Sequence, residues 1–99
     1  MGSGVSKTRT GSFIGTAATV TIKGVEFRPR AVHLYNLGGL ATGTWIQGMP
    51  DASVLKTITA GTISHPLTLG VTPLADGFSV GADTDLNVAD EKVFWVAHE

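Results

Sequence analysis

Apolar and polar residues alternate along most of this chain with a period of two, the spacing that turns one face of a β-strand toward a core and the other toward water. Ala18–Lys23 is the clearest case: Val20 and Ile22 fall on one face, Thr19, Thr21 and Lys23 on the other. Its β-branched residues suit a pleated, half-buried surface. Thr8–Gly15, which contains Phe13-Ile14, reads as an edge strand. Val25–Arg30 reads as a connection in which Pro29 removes a ladder donor and biases Arg28 to extended geometry, while Phe27 plugs the end of the core. Ala31–Leu37 alternates again, with Val32 and Leu34 inward and His33 and Tyr35 sharing the other face. Gly38-Gly39 breaks that strand, and Gly43–Met49 follows as a strand expected to pair back on it. Ser53–Ala60 fits a helical turn or a strand, the Thr57/Thr59 alternation favouring the strand. Residues 61–70 read as loop, and Val71–Leu74 precedes a closing hairpin. No 3.6-residue period is sustained, and glycines punctuate the short runs. The pattern predicts an all-β fold, a small antiparallel β-sandwich of jelly-roll-like or immunoglobulin-like type. We expect a single domain over 11–99, preceded by a flexible N-terminal arm, 1–10, whose small polar residues bury too little to order themselves.

The end of the chain breaks the alternation. Asp76–Glu99 reads as strand, polar loop, strand, and its last strand, Val93-Phe94-Trp95-Val96-Ala97, is apolar without interruption. A strand with one wet face alternates, so both faces of this one call for cover. The domain's own core supplies one cover. The other must come from a sheet edge, a loop or another molecule.

Composition sharpens that expectation. A chain of 99 residues buries about 65% of its unfolded surface, enough for one modest core. Charged residues make up 15% of it, against roughly 25% in ordinary soluble domains. So little surface charge defends poorly against association and favours an assembled protein. A net charge of −1 provides no basic field for a nucleic-acid backbone. The absence of cysteine removes disulfides, thiol nucleophiles and thiolate metal sites. The first residues lack an apolar signal-peptide core, and no apolar run approaches the ~18 residues of a membrane span.

Little here points to catalysis. His33, His65 and His98 have no spacing that converges them on a metal or a proton relay, and the serines lack a nucleophile-elbow context. Asp83-Thr-Asp-Leu-Asn87 has the first ligand spacings of a calcium loop, but Val88 stands where the turn glycine belongs and Phe94 where the bidentate Glu belongs. The plain reading of that segment is a solvated loop with Asx-turns. Tyr35, His33 and Trp45 are a candidate carbohydrate-stacking face, although tryptophans in small sandwiches usually belong to the core. No enzyme, cofactor or metal is expected.

Four segments together carry a resemblance: Gly24-Val-Glu-Phe-Arg-Pro-Arg-Ala-Val-His-Leu-Tyr-Asn36, Trp45–Met49, Leu74-Ala-Asp-Gly-Phe-Ser-Val-Gly81, and Asn87–Ala97. Over roughly 13–98 the chain resembles a recurrent β-sandwich module of tailed-bacteriophage virion proteins. That group shows a G-F-x-P-x-x-V segment, a D-G-F strand and a closing N-x-x-G-x-x-Y-Y-x-A strand. This chain departs from it where Val25-Glu26 intervenes before Phe27, where Asp90 replaces the turn glycine, and where Phe94-Trp95 replaces the tyrosine pair. The resemblance implies a virion protein made in the bacterial host cytoplasm. A short free-standing chain fits a head-surface decoration or cement protein, with a tail, baseplate or fibre component carrying a receptor or glycan site as the alternative. The expected partner is the major capsid protein, with self-association as a homo-oligomer, a trimer before other symmetries. The expected contact residues are Val5, Ser6, Lys7 and Arg9 of the arm with Phe13, the Arg28 and Arg30 turn, and whichever of Phe94 and Trp95 faces outward.

Overall fold

The computed structural model describes residues 7–59 and 61–99; Val5 and Ser6 lie outside them. The described residues form nine strands, paired antiparallel in two sheets. The strands are β1 (Thr8–Ile14), β2 (Val20–Ile22), β3 (Ala31–Asn36), β4 (Ala41–Ile46), β5 (Leu55–Thr57), β6 (Ile63–Ser64), β7 (Val71–Leu74), β8 (Gly77–Val80) and β9 (Lys92–His98). The six-stranded sheet runs β1-β9-β3-β4-β5-β6, and the three-stranded sheet runs β2-β8-β7. The fold is a small β-sandwich.

Alternation sets the core. Val32, Leu34 and Trp45 of the large sheet face Val71, Phe78 and Val80 of the small one, all buried. The Trp95 and Phe78 rings meet edge to face at 5.3 Å, a geometry that suits their quadrupoles. Phe27 and Pro29 are buried at one end of the sandwich, as the plug reading anticipated for Phe27. At Gly43, between the layers, a Cβ would lie 2.6 Å from a Leu86 methyl and 2.8 Å from a Val54 methyl, so any larger residue would have to push these core side chains aside.

Several boundaries differ from the expectations. The edge strand expected over Thr8–Gly15 is present as β1, at the edge of the large sheet; its Thr8–Thr10, also counted in the arm, are paired with Val96–His98 along β9, because the backbone groups of a long central strand need partners on both sides. β4 starts at Ala41 and stops at Ile46, and the stretch read as loop holds the two-residue β6. The 53–60 stretch contributes a strand, β5. The closing segment is not a hairpin. β8 pairs with β2 and β7, while β9 lies between β1 and β3 in the other sheet, so residues 81–91 cross from one layer to the other.

That crossover is also not a solvated loop. Asp83, Leu86 and Asn87 are buried. The Asn87 side chain accepts from Thr16 N at 2.9 Å and donates to the Ala18 and Gly81 carbonyls at 2.6 and 3.0 Å. Asn36 on β3 donates to Asp85 O and Glu91 Oε1, both at 2.8 Å, and accepts from Gly38 N and Gly39 N. Two buried amides thus fasten the crossover to both sheets. The expected Asx-turn is present: Asp83 Oδ1 accepts from Asp85 N at 2.8 Å and Leu86 N at 3.0 Å.

Candidate interaction surface

Alternation also decides what β9 presents outward. Val93, Trp95 and Ala97 point into the sandwich; Lys92, Phe94, Val96 and His98 point out. Phe94 is the outward member of the aromatic pair, 40% exposed, and Trp95 at 8% is a core residue. Trp95 therefore drops out as a contact. Phe13 shares its fate, since on β1 it lies on the inner side opposite Val93, packed against the core. Trp45 is only 3% exposed, with its indole N–H donated to the Pro50 carbonyl, so it cannot stack on a sugar.

The register builds a continuous outer face on the large sheet. Thr10, Val96, His33, Thr44 and Leu55 form one row across it. Ser12, Phe94, Tyr35, Thr42, Thr57 and Ile63 form the next. Ile14 and Ile46 lie at opposite ends of the strands, both about half exposed. Among the described residues no carboxylate points from these strands to this side, and Lys92 is the one permanent charge there, held with its ammonium 5.3 Å from the centre of the Phe94 ring. The three-stranded sheet differs: its mid-strand outward row is Thr21, Ser79 and Thr72. The large sheet thus adds exposed aliphatic and aromatic side chains, Leu55, Ile63, Tyr35 and Phe94 among them, to a face that also carries hydroxyls, whereas the mid-strand row of the small sheet is hydroxyl alone; exposed apolar groups of this kind mark contact surfaces.

His33 and His98 sit edge to face on the apolar face, ring centres 5.5 Å apart. His33 also meets Thr44 Oγ1 at 3.3 Å, and His98 Nδ1 meets Thr8 Oγ1 at 3.2 Å. Burial, reinforced by the neighbouring His98, pulls the His33 imidazole below the ordinary histidine range.

The predicted cations separate. Arg28, Arg30, Gln47 and Asp51 line an open cleft of about 470 Å³ at one end of the sandwich, floored by Trp45 and Met49. Arg28 donates to the Pro73 carbonyl at 3.3 Å. Arg9 instead pairs with Glu26, and the Lys7 backbone is tied to Glu99. The structure thus keeps Arg28 with Arg30, and Phe94 on a different surface.

The site that sequence reasoning missed is Lys56. Its ammonium lies 3.1 Å from both Asp83 oxygens and 2.8 Å from Asp85 Oδ2. The two aspartates of the calcium-like spacing converge, but on a lysine, which occupies the place a cation would need. Burial alone lowers the Lys56 pKa, but hydrogen bonds and charge from Asp85 and Asp83 outweigh it, and the net shift is upward. Lys56 is thereby held charged as an ion-pair clasp. On β5 the inward position of Lys56 could be read only with the Gly43 register in hand. No known protein family, curated protein or solved structure matches this chain.

Proposed function

We propose that this chain is a structural virion protein of the decoration type, one that binds the outer surface of a phage head, stabilises the shell and carries out no reaction. The single observation behind the reading is the outer face of the six-stranded sheet, which sets exposed Phe94, Tyr35, Leu55 and Ile63 among hydroxyls with Lys92 as its charge, a surface suited to cover by protein. The location rests on the resemblance of 24–36, 74–81 and 87–97 to phage virion modules, which is read from the sequence. Two residues of those segments have turn roles. Asp76 of the Asp-Gly-Phe segment accepts from Gly24 N and Glu26 N, fixing the turn before Phe27. Asp90, where the group has glycine, adopts a left-handed φ of 67°.

Stabilisation would work by mass action. A ligand that binds the assembled shell and not its free subunits favours the shell by about 2.7 kcal/mol per site when present at about 100 times Kd. Bridging neighbouring subunits multiplies weak contacts through effective concentration. In this reading the cleft at the end of the sandwich, where Arg28 and Arg30 stand with Asp51 and Glu99, makes a mixed polar contact with the major capsid protein in which the guanidinium groups take its carboxylates. The test is imaging of intact particles by cryo-electron microscopy. Many copies spread over the head are expected. A few copies confined to the tail or baseplate, or none on the particle, would overturn the reading.

A further inference from the structure

We propose that the outer face of the six-stranded sheet is the contact surface of a symmetric pair, in which a second copy of this chain lays the same face against it. This rests on the assembly reading above and deepens it by naming the occupant of one surface.

Charge is the first argument. A face without carboxylates, whose one permanent cation is Lys92, meets a copy of itself with little like-charge repulsion. Lys92 sits beside Ile14 at the end of the β1–β9 ladder, so in a pair it lies at the rim, within reach of water. A foreign partner with a charged patch would find no complement here. The acidic shell groups assigned above to the arginine cleft are served by a different surface.

Area is the second. Four strands, β1, β9, β3 and β4, running for about 20–24 Å and the short β5 and β6 running for about 7–10 Å, spaced at about 4.8 Å, give a footprint of roughly 500 Å². A pair then buries about 1,000 Å² in total, the lower bound for a specific interface, which points to a reversible dimer. Anchors are present near the middle of that footprint. Tyr35 and Phe94 lie opposite one another on β3 and β9, 39% and 40% exposed, and aromatic residues dominate the energetics of such contacts.

Geometry is the third. An open sheet offers one plane, and two such planes pack about 10 Å apart with their strands nearly aligned. One plane per copy closes a two-fold pair, in place of the trimer expected from the sequence, because a ring of three needs two different surfaces on each copy.

The test is sedimentation velocity on the full chain across micromolar concentrations. The chain is expected to dimerise reversibly. Phe94→Glu and Tyr35→Glu are each expected to weaken the dimer by about 30-fold or more, the effect of losing an anchor worth about 2 kcal/mol. Thr21→Glu, on the outer face of the small sheet, is expected to leave it unchanged. Circular dichroism checks that each variant is folded, and Thr44→Lys replaces any that is not. A wild-type chain that stays monomeric, a trimer, or a dimer indifferent to the face substitutions would overturn the pairing. A monomer that still coats heads would refute the pair and leave the head-surface reading standing; a dimer absent from particles would do the reverse.

Discussion

At the scale of single residues, the clasp of Lys56 with Asp83 and Asp85 carries the sharpest consequence. Asp83 is only 4% exposed at its side chain, so removing the ammonium leaves a carboxylate in a place water scarcely reaches. Lys56→Met is expected to destabilise the fold by about 2–4 kcal/mol in urea unfolding, since breaking a buried pair costs more than the pair contributes. A loss under about 1 kcal/mol would mean that the clasp is solvated. Its sign with pH is fixed: the folded pKa is raised, so the stabilisation is whole below the ordinary lysine pKa and fades as pH climbs through the folded value. Asp90 makes the opposite prediction. With φ at 67° it holds a conformation that glycine adopts freely, so Asp90→Gly is expected to be neutral or to raise stability by up to about 1 kcal/mol. A clear drop in melting temperature would show that the Asp90 side chain has a role the turn does not explain.

At the scale of elements, β9 ties the sandwich together, pairing with β1 along one side and β3 along the other. Trp95→Ala is expected to cost about 3–5 kcal/mol, as large aromatic truncations in cores do. Phe94→Ala, measured on the dilute monomer, is expected to cost under about 1 kcal/mol. Similar losses at both positions would contradict the alternation assigned to this strand. Much of this level was legible beforehand. Val20/Ile22 and Val32/Leu34 announced their faces through period two, and the apolar 93–97 run announced a strand, which lies between β1 and β3. Other features were hidden because they depend on distant partners. The crossover after β8 looked polar and therefore wet, yet its Asp83 and Asn87 are buried through bonds to Lys56, Thr16 and Ala18. The expected contact residues divided for the same reason. Phe13 and Trp95 are as apolar as Phe94, and only register against β1 and β3 tells which of them turn inward.

At the scale of the whole molecule, the two sheets differ in what they show to water, and that asymmetry organises the functional account. The small sheet shows a hydroxyl row, while the large one shows exposed Phe94, Tyr35, Leu55 and Ile63 among its threonines, which the proposed pairing would cover. The histidines would make that pairing depend on acidity. His33 faces His98 from β9, Thr44 from β4 and Tyr35 along β3, with Lys92 farther along β9 and no carboxylate on these strands' outer side. Its folded pKa is lowered, so the contribution to stability is complete above the ordinary histidine value and is lost as pH falls through the folded one. Covering the ring with a second copy deepens the burial, and the pair is expected to dissociate more readily near pH 5 than near pH 8 in sedimentation runs. Equal association at both would mean that the histidines stay wet.

The most direct measurement uses the absence of cysteine from the chain. A single thiol placed by Val96→Cys reports the apolar face, and one placed by Thr21→Cys reports the polar face. The Val96→Cys thiol is predicted to react progressively more slowly with a maleimide as protein concentration rises, while the Thr21→Cys rate stays constant and Phe94→Glu restores fast labelling at position 96. Equal, concentration-independent labelling on both faces would contradict the claim that the large sheet is built to be covered.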